Sequence, residues 1–322
     1  AVVRAREQQS TMRAFASRML APARAPYLFL APFLLLFAVF GVLPLVFSFA
    51  MAFMRWDPIE GLDSMRFAGL SNFSFTLGDP WFWKSLGNTL WLSFAAGVPQ
   101  HVVAIPLAYF IHSTLHRSRN GVVAAYFAPY ITSTVAIAIM SMALFSTDYG
   151  LVNAGLARLA SLPLLGQLFP ATPIDWLGSA GGVKPAIAIV VFWRFVGFNT
   201  VLYLAALQGI PKELYEASEL DGAGAFQRFR FITLPLLKPT MLFGFTLSVI
   251  GGLQLFEEPF ILTGGRGGPG HAAMTTAMYM YRTAFEFNDF GAASAISWLL
   301  FAVVGFLVWV TYRWLQPRDA GG

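Results

Sequence analysis

A polar stretch between two apolar segments decides how this chain is organised. Residues 216–222 read Glu-Ala-Ser-Glu-Leu-Asp-Gly, and residues 232–235 read Ile-Thr-Leu-Pro. The segments on either side, 185–209 and 236–257, are each long enough to cross a membrane, because a bilayer-spanning helix needs about 20 mostly apolar residues. A polar segment between two such spans lies in water, where another protein can contact it.

The composition is typical of a membrane protein. Of the 322 residues, 57% are hydrophobic and only 11% are charged, whereas soluble domains carry about 25% charged residues. Cysteine is absent, which excludes disulfides and thiolate metal sites. The fold class predicted from composition is therefore an all-α membrane protein.

Six segments have the length and hydropathy of a membrane span. We predict an N-terminal tail at 1–26, a transmembrane domain at 27–315 and a C-terminal tail at 316–322. The first apolar segment is too long for the core of a signal peptide, so it is predicted to be a retained span. The predicted spans are 27–54, 86–111, 122–145, 185–209, 236–257 and 290–314.

The charges predict the orientation of these spans. The tails and the segments 112–121 and 210–235, together with Lys238 and Arg313, carry thirteen Lys and Arg residues and six acids, whereas the opposite segments, together with Glu257, carry seven bases and ten acids. Short loops rich in Lys and Arg stay in the cytoplasm. Both termini and the segment 210–235 are therefore predicted to be cytoplasmic, and the net charge of +5 is read as a topology signal rather than as a sign of nucleic-acid binding.

The polar stretch is predicted to form a short helix that Gly222 ends or bends. Glu216 and Asp221 offer charged acceptors at the edges of this helix. An alternative is an amphipathic connector that lies on the lipid headgroups, but its acids would be repelled by anionic lipid, which favours a protein partner. By the spacing i, i+3, i+4 and i+7, one face of the helix carries Leu214, Ala217, Ser218 and Asp221.

The same residues carry a resemblance to a known family. The pattern Glu216-Ala217-Ser218, then Gly222, then Ile232-x-Leu234-Pro235 is similar to the EAA loop of binding-protein-dependent ABC importer permeases, with Ser218 at a position where the family has Ala. Asp221-Gly222-Ala223 and the run from Leu262-Thr263-Gly264-Gly265 to Gly268-Pro269 resemble the carbohydrate, maltose-type branch. The inserted Arg266-Gly267 departs from that pattern.

The resemblance implies a type I ABC importer permease fold, with six transmembrane helices and a cytoplasmic coupling helix between spans 4 and 5. The implied partners are a second, related permease subunit, two copies of an ATPase subunit and an external solute-binding protein. The implied substrate is a sugar, with a di- or oligosaccharide expected, and the implied location is the bacterial inner membrane. The residues implied to contact the ATPase are Leu214, Glu216, Ala217, Ser218, Asp221, Gly222 and Pro235.

The sequence itself indicates that this chain is a transport subunit and not an enzyme. A P-loop needs Gly-Lys-Ser/Thr to hold phosphates, and none of the four lysines, at 84, 184, 212 and 238, follows a glycine. We therefore expect this chain to bind no cofactor, and we expect ATP and Mg²⁺ to be used by the partner ATPase.

Arg194 is a charge placed inside a predicted span, where it is costly and usually faces protein or a watery cavity. Three interpretations stay open: a contact with substrate, a structural pair with Glu257 or Glu258, and snorkelling to the lipid interface. Aromatic faces together with amide or charged groups suit sugar recognition. The candidate substrate-lining residues are Trp193, Arg194, Asn199, Gln254, Phe256, Glu257 and Glu258.

Two weaker patterns are set aside. Residues 265–270 satisfy Gly-x-Gly-x-x-Gly, but no strand–helix–strand unit surrounds them, so a dinucleotide site is not expected. His112 and His116 lie four residues apart among basic neighbours, and no metal site is expected there.

Three other functions compete with sugar import. The first is import of glycerol-phosphate or a polyol, with Arg194 as the partner of an anion. The second is a stand-alone secondary transporter, although the inverted repeat typical of such folds is not evident. The third is a membrane scaffold without a solute pathway.

Overall fold

The computed structural model describes residues 25–115, 118–162 and 172–316. Within these ranges the chain is helical apart from two short antiparallel strands, β1 (Met54–Arg55) and β2 (Arg66–Phe67). The predicted tails lie outside the described residues except at their inner ends. The helices are α1 (Ala25–Phe37), α2 (Leu43–Met51), α3 (Ser71–Gly78), α4 (Pro80–Thr114), α5 (Arg119–Ile131), α6 (Thr134–Leu144), α7 (Leu151–Ala160), α8 (Ala180–Leu207), α9 (Lys212–Leu220), α10 (Ala225–Arg228), α11 (Leu234–Leu253), α12 (Glu257–Leu262), α13 (Thr276–Phe285) and α14 (Phe290–Leu315).

The helices agree with an all-α membrane protein. The described part of the chain has five helical segments that are long and apolar enough to span a bilayer, and a sixth if α5 and α6 together make one span. The five are Phe29–Met51, Pro80–Thr114, Ala180–Leu207, Ala225–Leu262 and Phe290–Leu315. The predicted fold class is confirmed.

The third predicted span, 122–145, is not the single straight helix that the sequence suggests. Helices α5 and α6 meet at an angle of 97°, and Thr132 and Ser133 between them have extended backbone ψ angles of 146° and 133°. The Thr132 hydroxyl donates to the carbonyl of Ala128 at 2.8 Å. Short hydroxyl side chains offer the backbone such alternative partners and so favour helix ends, a signal that mean hydropathy does not register.

The fifth predicted span, 236–257, contains a break near its end. Helix α11 stops at Leu253, and α12 begins only at Glu257, although the apolar segment as a whole continues to Leu262. Pro259 explains the break, because its ring would clash with the carbonyl of Leu255 in a continuous helix. Gln254 and Phe256 therefore lie at the break, and Glu257 and Glu258 begin the short helix α12.

The core lies between α4 and α8, which pack along most of their length. One buried cluster surrounds Ile187, and a second surrounds Leu204 and Leu237. Helix α5 approaches α8 so closely that a Cβ atom on Gly197 would lie 1.7 Å from the carbonyl oxygen of Tyr126. Only glycine permits this contact, which holds the first half of the bent span against the core.

The first span stands apart from this core. None of the side chains in its most apolar window is buried, although its last turn contacts α14 through the rings of Phe49 and Trp298, whose centroids lie 4.8 Å apart. A helix that is apolar and exposed all round is suited to a bilayer rather than to water.

Candidate functional site

The predicted docking face on α9 is open to solvent. No residue of α9 is buried. Glu216 and Ala217 are exposed and Ser218 is partly exposed, while Leu214 and Leu220 are 44% and 91% exposed. A hydrophobic side chain held this far out on a polar segment is typical of a surface that another protein covers.

A tight backbone turn ends α9 at the glycine that the sequence singles out. The N–H of Ala223 donates to the carbonyl of Ser218 at 2.9 Å, and the N–H of Gly222 donates to that of Glu219 at 3.0 Å. This pair of bonds is a Schellman motif, in which the residue after the cap adopts the left-handed conformation. Gly222 has φ of +79°, so the turn that points the chain back towards α10 depends on glycine.

Two tyrosines connect this polar segment to the helix bundle. The hydroxyl of Tyr215 on α9 lies 2.9 Å from that of Thr233, which is fully buried at the start of α11. The hydroxyl of Tyr109 on α4 donates to the carbonyl of Ala225 at 3.2 Å. Short polar contacts therefore join α9 to the start of α11, and α10 to α4.

Two further contacts fix the return of the chain to the membrane. Arg228 forms an ion pair with Glu219 across the turn. Pro235 occupies the first turn of α11, directly after the π-helical turn Phe229–Thr233. Tyr109, Tyr215 and Thr233 were not singled out from the sequence, where a phenol in a polar loop carries no distinctive pattern.

A cavity of about 220 Å³ lies between α4, α8 and α11. Most of its lining is apolar, and its polar groups include Gln100, Asn199 and Ser248. The amide of Asn199 donates to Gln100 Oε1 at 3.2 Å, and Gln100 donates to the carbonyl of Val191 at 3.4 Å. A small apolar cavity with a few fixed polar groups has the character of a ligand site.

Asn199 is the predicted candidate that lines this cavity. Gln100 and Ser248 were missed, although an amide inside an apolar span is a signal that could have identified Gln100. The hydrogen bond between the two amides orients both side chains. An amide has two donors and an acceptor, so each side chain keeps hydrogen-bonding capacity for a ligand on its remaining atoms.

Arg194 pairs with Glu258, which settles the geometry that the sequence left open. The ion pair joins α8 to α12, and the two side chains are 14% and 5% exposed. The guanidinium also lies over the ring of Phe195, 5.4 Å from its centroid. The neighbouring Glu257 is exposed and is not the partner.

The other candidates lie elsewhere. Gln254 and Phe256 line a second, larger groove beside α13 and α14. Glu257 borders a third opening next to Ser133 and Thr134, and Trp193 is 40% exposed on α8. The seven predicted residues therefore do not form one site: the structure distributes them among a cavity, an ion pair, two grooves and an exposed helix face.

The glycine-rich loop at 264–270 is clamped by α4. Asn88 donates to the carbonyls of His271 and Met274 at 3.1 and 3.0 Å, and the hydroxyl of Thr89 accepts from the N–H of Thr276 at 2.8 Å. The described strands lie only at 54–67, far in sequence from this loop. No group of three potential metal ligands occurs among the described residues, and His116 lies outside them.

These features define a class: a polytopic helical transport protein of the membrane, with a polar docking segment between two spans and a cavity among three of them. The chain belongs to the family described as binding-protein-dependent transport system inner membrane component, which it matches over residues 82–319. The resemblance to importer permeases is thereby confirmed, and the chain is a multi-pass transport subunit, not an enzyme.

Relatives with sugar-transport names match nearly the whole chain. The arabinooligosaccharides transport system permease protein AraP of Bacillus subtilis (strain 168) is 36% identical over 280 residues, which are 87% of this chain and 85% of AraP. The lactose transport system permease protein LacF of Rhizobium radiobacter is 34% identical over 91% of this chain and 94% of LacF. The trehalose/maltose transport system permease protein MalF of Thermococcus litoralis is 33% identical over 88% of this chain and 90% of MalF. The similarity to the carbohydrate branch is thus confirmed.

A solved structure has the same fold. A chain in the crystal structure of a bacterial ABC transporter involved in the import of the acidic polysaccharide alginate superposes with a TM-score of 0.74 at 22% identity, covering 94% of this chain and 98% of that chain. At this level of identity the likeness concerns the fold alone.

Proposed function

We propose that this protein is the permease subunit of an ATP-driven importer that moves a di- or oligosaccharide across the inner membrane. The observation that carries the proposal is α9, a polar helix between two spans that has no buried residue and is followed by a left-handed turn at Gly222. Its exposed face suits the groove of a cytoplasmic ATPase subunit, and the contacts of Tyr215 and Tyr109 would carry the movement of that subunit into the bundle.

The substrate class is inferred from chemistry and from the relatives. The amides of Asn199 and Gln100 in a mostly apolar cavity suit the hydroxyl groups and apolar faces of a sugar. Arg194 does not line this cavity, and its charge is paired with Glu258. A neutral sugar is therefore favoured over glycerol-phosphate.

The proposed assembly adds to this chain the parts that the family resemblance implies. We assign ATP and Mg²⁺ to two copies of an ATPase subunit on the cytoplasmic side, where the charge distribution predicts both termini of this chain and α9 to lie. A second, related permease completes the pathway, and an external solute-binding protein delivers the sugar to the opposite side. The chain does not have the Gly-Lys-Ser/Thr of a P-loop, which supports assigning ATP to the partner.

Disrupting the α9 surface tests the proposal. Glu216→Lys reverses an exposed charge on the face assigned to the ATPase. We expect this variant to insert normally into the membrane but to lose both co-purification of the ATPase subunit and ATP-dependent sugar uptake in proteoliposomes.

Glu60→Lys is the matched control, because Glu60 is also an exposed acid. It lies between the first and second predicted spans, on the side of the membrane opposite to the predicted side of α9. This variant is expected to keep the ATPase. Normal ATPase binding by the Glu216 variant would refute the coupling role, and uptake by the purified chain without ATP or partners would identify a secondary transporter instead.

A further inference from the structure

A groove of about 640 Å³ opens where α11 ends, at the end of the bundle remote from α9. Four aromatic rings follow one another along it. The centroids of Phe256 and Tyr281 lie 5.4 Å apart, those of Tyr281 and Phe285 lie 5.0 Å apart, and those of Phe285 and Phe290 lie 5.8 Å apart. Tyr281 and Phe285 are 38% and 63% exposed, so these two rings are accessible to a ligand.

Polar side chains without partners line the same groove. Gln254, Ser294 and Ser297 border it, and within the described residues their side chains make no hydrogen bond. This differs from Thr311 on the same helix as the two serines, which donates to the carbonyl of Leu307 at 2.8 Å. A groove filled by lipid chains gains nothing from free amide and hydroxyl groups, whereas a polar ligand can use all three.

The helix that presents the rings is firmly held. On α13, the Tyr279 hydroxyl donates to Asp79, and the first turn is bonded to Thr89 of α4. Burial, followed by the bond to Asp79, raises the pKa of Tyr279 above its ordinary value, so the phenol remains a neutral donor. Rings on a fixed helix lose little freedom when a ligand stacks on them.

The groove lies next to the central cavity. Leu255 lines the cavity, while Gln254 and Phe256 on either side of it line the groove. Alternate residues of the break between α11 and α12 therefore face the two spaces, and the backbone of this segment separates them.

We propose that this groove is a binding track for an extended oligosaccharide, with sugar faces stacked on Tyr281 and Phe285 and sugar hydroxyls bonded to Gln254, Ser294 and Ser297. This inference rests on the proposed function and deepens it. The track would favour longer substrates over disaccharides, because only a longer chain covers successive rings of the row.

The test compares substrates of two lengths. The complete transporter, with its ATPase and binding protein, is reconstituted in proteoliposomes, and uptake of maltose is compared with that of maltopentaose, and uptake of arabinobiose with that of arabinopentaose. Phe285→Ala should lower the ratio of pentasaccharide to disaccharide uptake about tenfold, as expected for a loss of about 1.4 kcal/mol in one stacked contact. Phe285→Trp should restore the ratio.

Phe287→Ala is the matched control. Phe287 is 61% exposed and lies two residues from Phe285, but it does not line the groove. Its replacement should leave the ratio unchanged. The same ratio of pentasaccharide to disaccharide uptake in the Phe285→Ala and Phe287→Ala variants would overturn the track. Loss of the second permease from the purified Phe285→Ala complex would also overturn it, because the groove would then be a subunit interface. A wild-type complex that imports neither sugar length would overturn the proposed function as well.

Discussion

Replacing Gly222 isolates the contribution of one backbone turn to coupling. Its φ of +79° is left-handed, and a Cβ atom built on it meets no atom within 4 Å. Gly222→Ala therefore adds no clash, and its cost comes only from the backbone, at about 1–2 kcal/mol for an L-residue in this conformation. The equilibrium constant for forming the Schellman turn would fall by a factor of about 5–30.

The assay is co-purification of the ATPase subunit with the tagged permease, together with the ATP hydrolysis that loaded binding protein stimulates. We expect Gly222→Ala to reduce both ATPase association and stimulated ATP hydrolysis by up to about 5–30-fold. Gly222→Asn should reduce them less, because Asn tolerates positive φ better than Ala does.

The control is Gly121→Ala. Gly121 lies inside α5, and a Cβ atom there also meets nothing within 4 Å, so this change should leave association intact. All variants should insert into the membrane to the same extent, as monitored by fluorescence-detected size exclusion. Equal ATPase association in Gly222→Ala and Gly121→Ala would refute the reasoning, because the left-handed turn would then have no part in positioning α9.

Three further outcomes are expected. Glu258→Gln should destabilise the purified protein by about 3 kcal/mol, because it leaves the Arg194 charge buried without its partner. In thermal unfolding, the double variant Arg194→Met/Glu258→Leu should be more stable than Glu258→Gln. Equal or lower stability of the double variant would contradict a structural pair. Asn199→Leu should abolish sugar uptake while the ATPase still co-purifies, and unchanged uptake would remove the cavity from the pathway. Tyr215→Phe deletes the hydroxyl that contacts Thr233 and should keep ATPase association but lower the stimulation of ATP hydrolysis several-fold, whereas full stimulation would show that this contact transmits nothing.

The local features of the polar segment could be predicted from sequence because each depends on near neighbours. Glu216 and Asp221 mark a water-exposed helix, Gly222 marks its end, and Pro235 marks the start of the next helix. The family resemblance rests on the same few residues. Gly222 forms the left-handed turn after α9, since capping and turn chemistry are determined within a few residues of the chain.

Long-range pairings could not be predicted in the same way. Arg194 and Glu258 are 64 residues apart, and from the sequence alone Glu257 is an equally good partner. In the structure, the break after Leu253 directs only the Glu258 carboxylate inward. Gln100 and Asn199 are 99 residues apart, and nothing in their separate spans announces that they share a cavity.

The sequence by itself determined the number of apolar segments, their order, the polar helix between the fourth and fifth, and the family. The tertiary structure decided which face of each span is buried, where the third and fifth spans break, and which polar side chains meet in the cavity and the groove. The physical reason is that a membrane helix is apolar on its lipid-facing and protein-facing sides alike, so hydrophobic periodicity does not reveal which side points inward. Only the packing of α4, α8 and α11 against one another makes that choice.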